Sequence, residues 1–531
     1  MASSTRALLR HGSTLSLLTL ISRILGLLRE MVKAHFLGTS ALSDAFSVAF
    51  LIPNLFRRLF AEGSISAAFI PTFKVYLLEQ DPAKIREFLS SVFTVLISLV
   101  SLVVLIGILI TPQLLPFFNM ALYETCFLTR LMFPFLAFVS VAAFFQGILN
   151  SVQSFTPSGV APIILNLLTI TCAFALSPFT ANPARAMAVG ILLGGFMEAA
   201  IQFPFVLQKG YRFSVIGLTG AFQNPGVKKV LHLIGPTIIG MAAYQLNDLV
   251  STALAGNAGE GVVSSLQYSL RLQELILGVF AVSMGTVLLP DLAEQAKSGR
   301  WDRYHERLLS ALQIIALITI PITFFSLAQG SNIIQLLFRT NRFGDDSVRL
   351  TLAAFTFHMP GLFFIALNRI LAPAFYAQSD SKAPTLAGLC SFAVNIALAV
   401  LLVGPMGGAG VALALTVASA VNTVLLFCFL KNKPWSTLGR VLPSASAYTL
   451  KLILFSGIAV FPVLQVNPFL AAWCAGRGRL FAYGFPLLIT GLGYGLLGVL
   501  LLLISQDRHI RGIRRALMPW GRKPGGYQNR P

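Results

Sequence analysis

The chain has 531 residues, 56% of them hydrophobic and only 11% charged, with a formal net charge of +20 and a mean hydropathy of +0.79. So much apolar surface with so few charges excludes an ordinary soluble protein. The positive charge alone would suit nucleic acid, so its placement along the chain has to decide.

Apolar runs of about 18–25 residues recur, each long enough to cross a hydrocarbon core of roughly 30 Å as a helix. They predict an all-α polytopic membrane protein of about fourteen spans, at roughly 14–37, 44–73, 88–112, 122–149, 158–178, 184–207, 230–252, 263–290, 307–328, 349–377, 384–403, 408–430, 445–466 and 480–505. In or at the edge of the odd-numbered connections lie Arg185, Arg339, Arg342, Arg349, Arg477 and Arg479. Most other basic residues lie in the tails and the even-numbered connections. That asymmetry is the positive-inside pattern for both termini in the cytoplasm, so the charge is mainly topological.

Among the basic residues inside the spans are Arg23, Arg29, Lys33, Arg57, Arg58, Arg130, Arg271 and Arg369. A basic side chain at the centre of a lipid-facing span costs about 2.5–3.5 kcal/mol, so these groups need acids, water, an interface or a ligand. In span 1, Ser22, Arg23, Gly26, Arg29, Glu30 and Lys33 fall within an arc of about 120°, while the rest of the helix is apolar. Lys33 is within reach of the membrane surface by snorkelling, as are Arg130 and Arg369. The apolar run of span 1 carries arginines and has no clean A-x-A site after it, so it is not read as a cleaved signal peptide.

Span 2 repeats the pattern. Asp44, Asn54, Arg58 and Glu62 share a face of about 80°, Arg57 lies further round, and Pro53 should loosen the helix. Arg58 and Glu62, four residues apart, suit an ion pair. Glu124, Gln146, Asn150, Asn166, Glu198, Asn247 and Asp248 are further polar positions at membrane depth. In span 8, Gln267, Arg271 and Glu274 share one face.

Weak self-similarity links 60–71 with 280–290, and 147–166 with 374–395. It suggests two six-helix bundles related by an axis along the membrane normal, with two helices appended. Arg23 and Arg29 would then meet Arg271 from the opposite half. Their planar donor forks suit phosphate oxygens, so the cavity points to an anionic phosphate or pyrophosphate headgroup. Internal salt bridges that fix helix packing are the competing account.

Catalytic chemistry finds little support. There is no GxxxxGK[ST], no HExxH and no GxSxG, the six histidines share no spacing, and the connections are short. Cys126, Cys172, Cys390, Cys428 and Cys474 are scattered and read as small apolar residues, with no disulfide or metal site. The basic tail from Gln506 ends in a Pro/Gly-rich stretch and suits anionic headgroups at the inner leaflet.

Ser22-Arg-Ile-Leu-Gly-Leu-Leu-Arg-Glu30, Gly38-x5-Asp44-Ala-Phe, Pro53-Asn-Leu-Phe-Arg-Arg-Leu-Phe-Ala-Glu-Gly63 and Ala68-Phe-Ile-Pro71 closely resemble the MurJ/MviN family. That family contains lipid II flippases of the multidrug/oligosaccharidyl-lipid/polysaccharide exporter superfamily. The likeness continues through Gly147-Ile-Leu-Asn150, Gln245-Leu-Asn247, Tyr268-x2-Arg271-Leu, Gly285-Thr-Val-Leu-Leu-Pro290 and Pro373-Ala-Phe-Tyr-Ala377, and so covers essentially the whole chain.

The resemblance implies an N-terminal lobe over 1–208 (spans 1–6), a C-terminal lobe over 209–432 (spans 7–12), a lipid-tail groove over 433–505 (spans 13–14) and a basic cytoplasmic tail over 506–531. It implies a transporter, not an enzyme, that moves a polyprenyl-pyrophosphate precursor of peptidoglycan across the bacterial inner membrane. It carries substrate-binding roles onto Arg23, Arg29 and Arg271, and onto Asp44, Arg57, Arg58 and Glu274. Gly26, between the arginines, would leave room for the headgroup. Leu270 and Ile276 depart from the family pattern around Arg271. No cofactor is implied beyond a monovalent cation, for which Asp248 and Asp380 are weak candidates. The expected partners are the polyprenyl lipid, membrane lipid and transient contacts with cell-wall synthesis enzymes. An exporter of another polyprenyl-linked oligosaccharide is the alternative, followed by a multidrug/cation antiporter, which would want a cavity of acids.

Overall fold

A computed structural model gives the architecture, describing residues 2–59, 65–118, 122–378, 380–431 and 438–509. Every regular element among them is helical. The chain divides into two compact units. The first comprises Met1–Val279, Phe338–His358 and Thr385–Asn422, and the second Phe280–Leu337, Met359–Pro384 and Thr423–Pro531.

The first unit is built mainly from α1 (Ala2–Leu37), α2 (Ala41–Arg57), α3 (Ile65–Glu79), α4 (Pro82–Leu114), α5 (Leu122–Met132), α6 (Phe135–Ser151), α7 (Thr156–Leu176), α8 (Pro183–Gln208), α9 (Leu218–Gln223) and α10 (Pro225–Gly256). It adds the first half of α11 (Val262–Lys297) and parts of α13 (Asp345–Tyr376), α14 (Lys382–Met406) and α15 (Gly408–Lys431). The second unit holds α12 (Trp301–Phe338), α16 (Leu438–Cys474) and α17 (Phe485–Ile504) with the remaining halves.

Local chemistry sets where helices begin. Asp81 caps α4 by accepting from the Ala83 and Lys84 amides, Asn182 caps α8 and Asn224 caps α10, each followed by proline at the first helical position. The fourth expected span is interrupted at Phe133–Pro134, where proline removes an amide donor, giving α5 and α6. The helix of span 2 runs through Pro53 and passes into a wider π-type turn at Arg58–Leu59. Glu62, and with it the expected Arg58–Glu62 pair, lies outside the described residues.

Among the described residues, ten helices are long and apolar enough to cross a membrane. The expected spans outside that set fall on α1, α2 with α3, α10 and α11, the helices whose middles carry the charged and amide side chains. On α4, Leu99, Leu102, Leu105, Ile106 and Leu109 are exposed, and on α17 Leu488, Leu492 and Leu496 are too. Such stripes would be untenable in water and are what a lipid-facing surface requires.

In the first unit the core between α3, α4 and α6 is aromatic. Phe69 packs on Phe73, Phe88 and Phe144 with ring centroids 5.3, 5.8 and 5.4 Å apart. In the second, α16 and α17 pack on α12 through Ile320, Leu452, Leu502 and Tyr494, whose hydroxyl donates to the Pro321 carbonyl at 2.9 Å. An ion pair at 2.8 Å between Lys451 and the buried carboxylate of Asp507 closes the far end of that bundle.

Candidate functional site

The charged face of α1 is assembled in the first unit, and the first half of α11 supplies its counterpart. Arg271 lies against Gly26: a Cβ built there would come within 2.7 Å of Arg271 Nη2. Arg23 makes the reciprocal contact, its guanidinium resting where a Cβ on Gly278 would stand. Each helix therefore seats the other's arginine on a glycine. The position that Gly26 leaves without a side chain is filled in this structure by Arg271. Arg271 and Arg57 both act electrostatically on Arg29, so three guanidinium groups converge despite mutual repulsion.

Acids partly offset that repulsion. Glu30 pairs with Arg29 at 3.0 Å and with Lys33 at 3.9 Å. Glu274 pairs with Arg271 at 3.1 Å while its side chain stays 49% exposed, so this pair keeps access to a ligand. Arg57 donates through Nε to Asn54 at 2.8 Å. Arg58 acts on Asp248, as does Glu274.

Lys33 does not snorkel. It is 4% exposed, donates to Ser47 Oγ at 2.6 Å, and sits 4.7 Å over the Tyr268 ring. Arg130 and Arg369, by contrast, are exposed, and Arg130 donates through Nε to the Ile108 carbonyl at 3.1 Å. Glu124 is taken by a two-pronged bridge from Arg185, Nε and Nη2 each at 2.8 Å, with Asn182 donating at 2.7 Å. That is packing chemistry.

Asp44 is buried, and both its oxygens are engaged: Oδ2 accepts from the Gly261 amide and Oδ1 from the Ser264 amide, each at 2.7 Å. A carboxylate at these first amides of α11 satisfies orphan donors and complements the helix dipole. Around it, Tyr268 donates to the Gly38 carbonyl at 3.0 Å, Thr39 meets Ser347 at 2.7 Å, and the Ala41 amide donates to Glu260 at 2.9 Å. Gly38 has φ +59, with the Arg342 carbonyl where a Cβ would be, so no other residue fits this turn. The α1–α2, α10–α11 and α12–α13 turns are thus tied at one end of the arginine cluster.

Sequence reasoning missed Tyr268 as the centre of this latch, the burial of Lys33, and Gly278 as the seat of Arg23. Gly278 lies seven residues beyond Arg271, two turns along the same face, which was a usable signal. Asp380 accepts from the Lys382 and Ala383 amides and so caps α14. Among the described residues, no group of three or more His, Cys, Asp or Glu could hold a metal ion.

The fold is that of a polytopic transporter. A solved lipid II flippase MurJ in an inward closed conformation superposes with TM-score 0.77 at 23% identity, covering 94% of this chain and 99% of that one. An inward-facing multidrug resistance MATE family transporter of the MOP superfamily gives 0.63 at 13% identity, covering 82% and 95%. The sequence is 44% identical over 521 residues to a probable lipid II flippase MurJ of Treponema pallidum (strain Nichols), covering 96% of this chain and 99% of that relative. The sequence model of the lipid II flippase MurJ family matches residues 33–477, and the chain belongs to that family. It is a multi-pass membrane protein of a transporter family.

Proposed function

We propose that this chain moves lipid II, the polyprenyl-pyrophosphate-linked precursor of peptidoglycan, from the cytoplasmic to the periplasmic leaflet of the bacterial inner membrane. The observation that carries this reading is the reciprocal seating of Arg23 on Gly278 and Arg271 on Gly26, with Arg29 and Arg57 in electrostatic range. Converging guanidinium groups at membrane depth are tolerable chiefly if an anion visits them, and their planar forks match pyrophosphate oxygens. The 44% identical relative, named a probable lipid II flippase, supports the same substrate.

The mechanism is alternating access by two six-helix lobes, 1–208 and 209–432, with the polyprenyl tail held along 433–505. Both termini lie in the cytoplasm, which puts the latch built on Asp44, Tyr268 and Thr39 on the periplasmic side. In this conformation the latch shuts that side while the arginines await the headgroup. Pyrophosphate oxygens draw the guanidinium groups off their glycine seats, and Glu30 and Glu274 compete for them again on release. Opening of the latch frees the α11 amides from Asp44 and exposes the headgroup outside. With the cell interior negative, outward movement of an anion gains about 2.3 kcal/mol per charge per 100 mV, a drive that needs no ATP.

Asp248 is the acid available to a monovalent cation, since Asp380 is committed to a cap. The basic tail meets anionic lipid, and cell-wall synthesis enzymes are the transient partners that load and unload the substrate. Two assays test the reading: lipid II headgroup accessibility, and rescue of a flippase-depleted host. Replacing Arg23, Arg29 or Arg271 by Ala should abolish both while the protein still inserts. Normal rescue by all three variants would refute it, as would depletion that leaves viable cells lacking only a surface polysaccharide.

A further inference from the structure

The first unit contains a cavity that the transport cycle above does not use. It measures about 330 Å³ and lies between α1, α6 and α7, beside the arginine cluster. Pockets of this size accommodate small ligands. Thr19 and Arg23 line it from α1, Gln146 and Asn150 from the end of α6, and Phe155 and Ser158 from the start of α7. Its lining has hydroxyls, carboxamides, one aromatic ring and one cation, and no carboxylate. That donor set suits a neutral, hydroxyl- and amide-bearing ring attached to an anion better than it suits a free anion or a cation.

The walls are held in place. Asn166 Nδ2 donates to the Pro162 carbonyl at 2.9 Å and to the Ser22 carbonyl at 3.4 Å, tying α7 to α1. Ser158 donates to Asn150 Oδ1 at 3.4 Å across the α6–α7 turn. Arg23 joins the two sites, since its side chain lines the cavity while its guanidinium tip rests over Gly278. A pyrophosphate on Arg23 would bring whatever is bonded to it to the cavity.

We propose that this cavity is a carbohydrate subsite for the N-acetylated sugar ring nearest the pyrophosphate. Gln146 and Asn150 bind its hydroxyl and acetamido groups, Phe155 faces an apolar side of the ring, and Arg23 holds the adjoining phosphate. The proposal rests on the reading of the chain as a carrier of a sugar-pyrophosphate lipid.

The test titrates the full-length protein in detergent with three lipids: lipid II, undecaprenyl pyrophosphate without sugar, and undecaprenol. The wild type should bind lipid II most tightly and undecaprenol least. Gln146→Leu and Thr19→Val, which keep bulk but lose hydrogen-bonding groups, should each weaken lipid II binding about five- to tenfold and leave undecaprenyl pyrophosphate unchanged. Arg23→Ala should weaken both pyrophosphates. If both polar variants bind lipid II like the wild type, or lose both pyrophosphates equally, the subsite is refuted while the transport reading stands. If the wild type binds neither pyrophosphate better than undecaprenol, the transport reading fails and the subsite falls with it.

Discussion

Gly26 and Gly278 show how much a missing side chain can do. Glycine in a helix interior gives up about 1 kcal/mol relative to alanine, so two on the facing surfaces of α1 and α11 need a reason. Each is the seat of the opposite helix's arginine. The neighbour in both cases is the far end of a flexible side chain, which can shift. Gly278→Ala should therefore raise helix stability by up to about 1 kcal/mol while displacing Arg23 and lowering transport. A melting temperature at or above wild type, combined with slower headgroup exposure, is the expected pair of readings. A variant that is unstable and inactive in proportion would assign the glycine to packing alone. Lys33 carries a related lesson. Its sequence position allowed escape to the interface, yet Ser47, Glu30 and the Tyr268 ring together hold the ammonium inside.

At the scale of elements, the start of α11 organises the latch. Asp44 reaches from α2 to satisfy two of its first amides, joining helices far apart in sequence. Asp44→Ala should destabilise the protein by about 2 kcal/mol, the upper range for loss of a cap, and Asp44→Asn by less because one acceptor remains. Thermal unfolding measures the first effect. Cysteine labelling at the α1–α2 turn should show greater access in the alanine variant, because the hydrogen bonds that tie α2 to the start of α11 are lost. The Glu124–Arg185 bridge between α5 and α8 serves a different purpose. Glu124→Gln should lower the melting temperature modestly through the loss of charge-assisted hydrogen bonds. Transport should persist in that variant, since the bridge is tied to Asn182 and packs on the Phe127 ring rather than on the facing surfaces of α1 and α11.

At the scale of the whole molecule, transport should respond to voltage. Vesicles with the interior negative should show faster outward movement of the headgroup than vesicles whose potential has been collapsed by a potassium ionophore, about tenfold for each 1.4 kcal/mol that reaches the rate-limiting step. An unchanged rate would remove the potential as the driving force. The fold class was open to reading because apolar runs of spanning length admit only helices at membrane depth. Individual helix limits were less legible: the break at Pro134 and the wide turn at Arg58–Leu59 divide what hydropathy alone joins.

The sequence by itself determined that the chain crosses a membrane many times, that its basic residues are unevenly spread between alternate connections, and that Arg23, Arg29 and Arg271 stand on otherwise apolar helices. These are properties of composition and period, and period alone places residues on a face. Only the tertiary structure decided which faces meet. It placed Arg271 on Gly26 and Arg23 on Gly278, gave Asp44 to the first amides of α11, and enclosed Lys33 against Tyr268. Such pairings depend on contacts across more than two hundred residues of chain, where close packing selects one partner among many chemically equivalent ones.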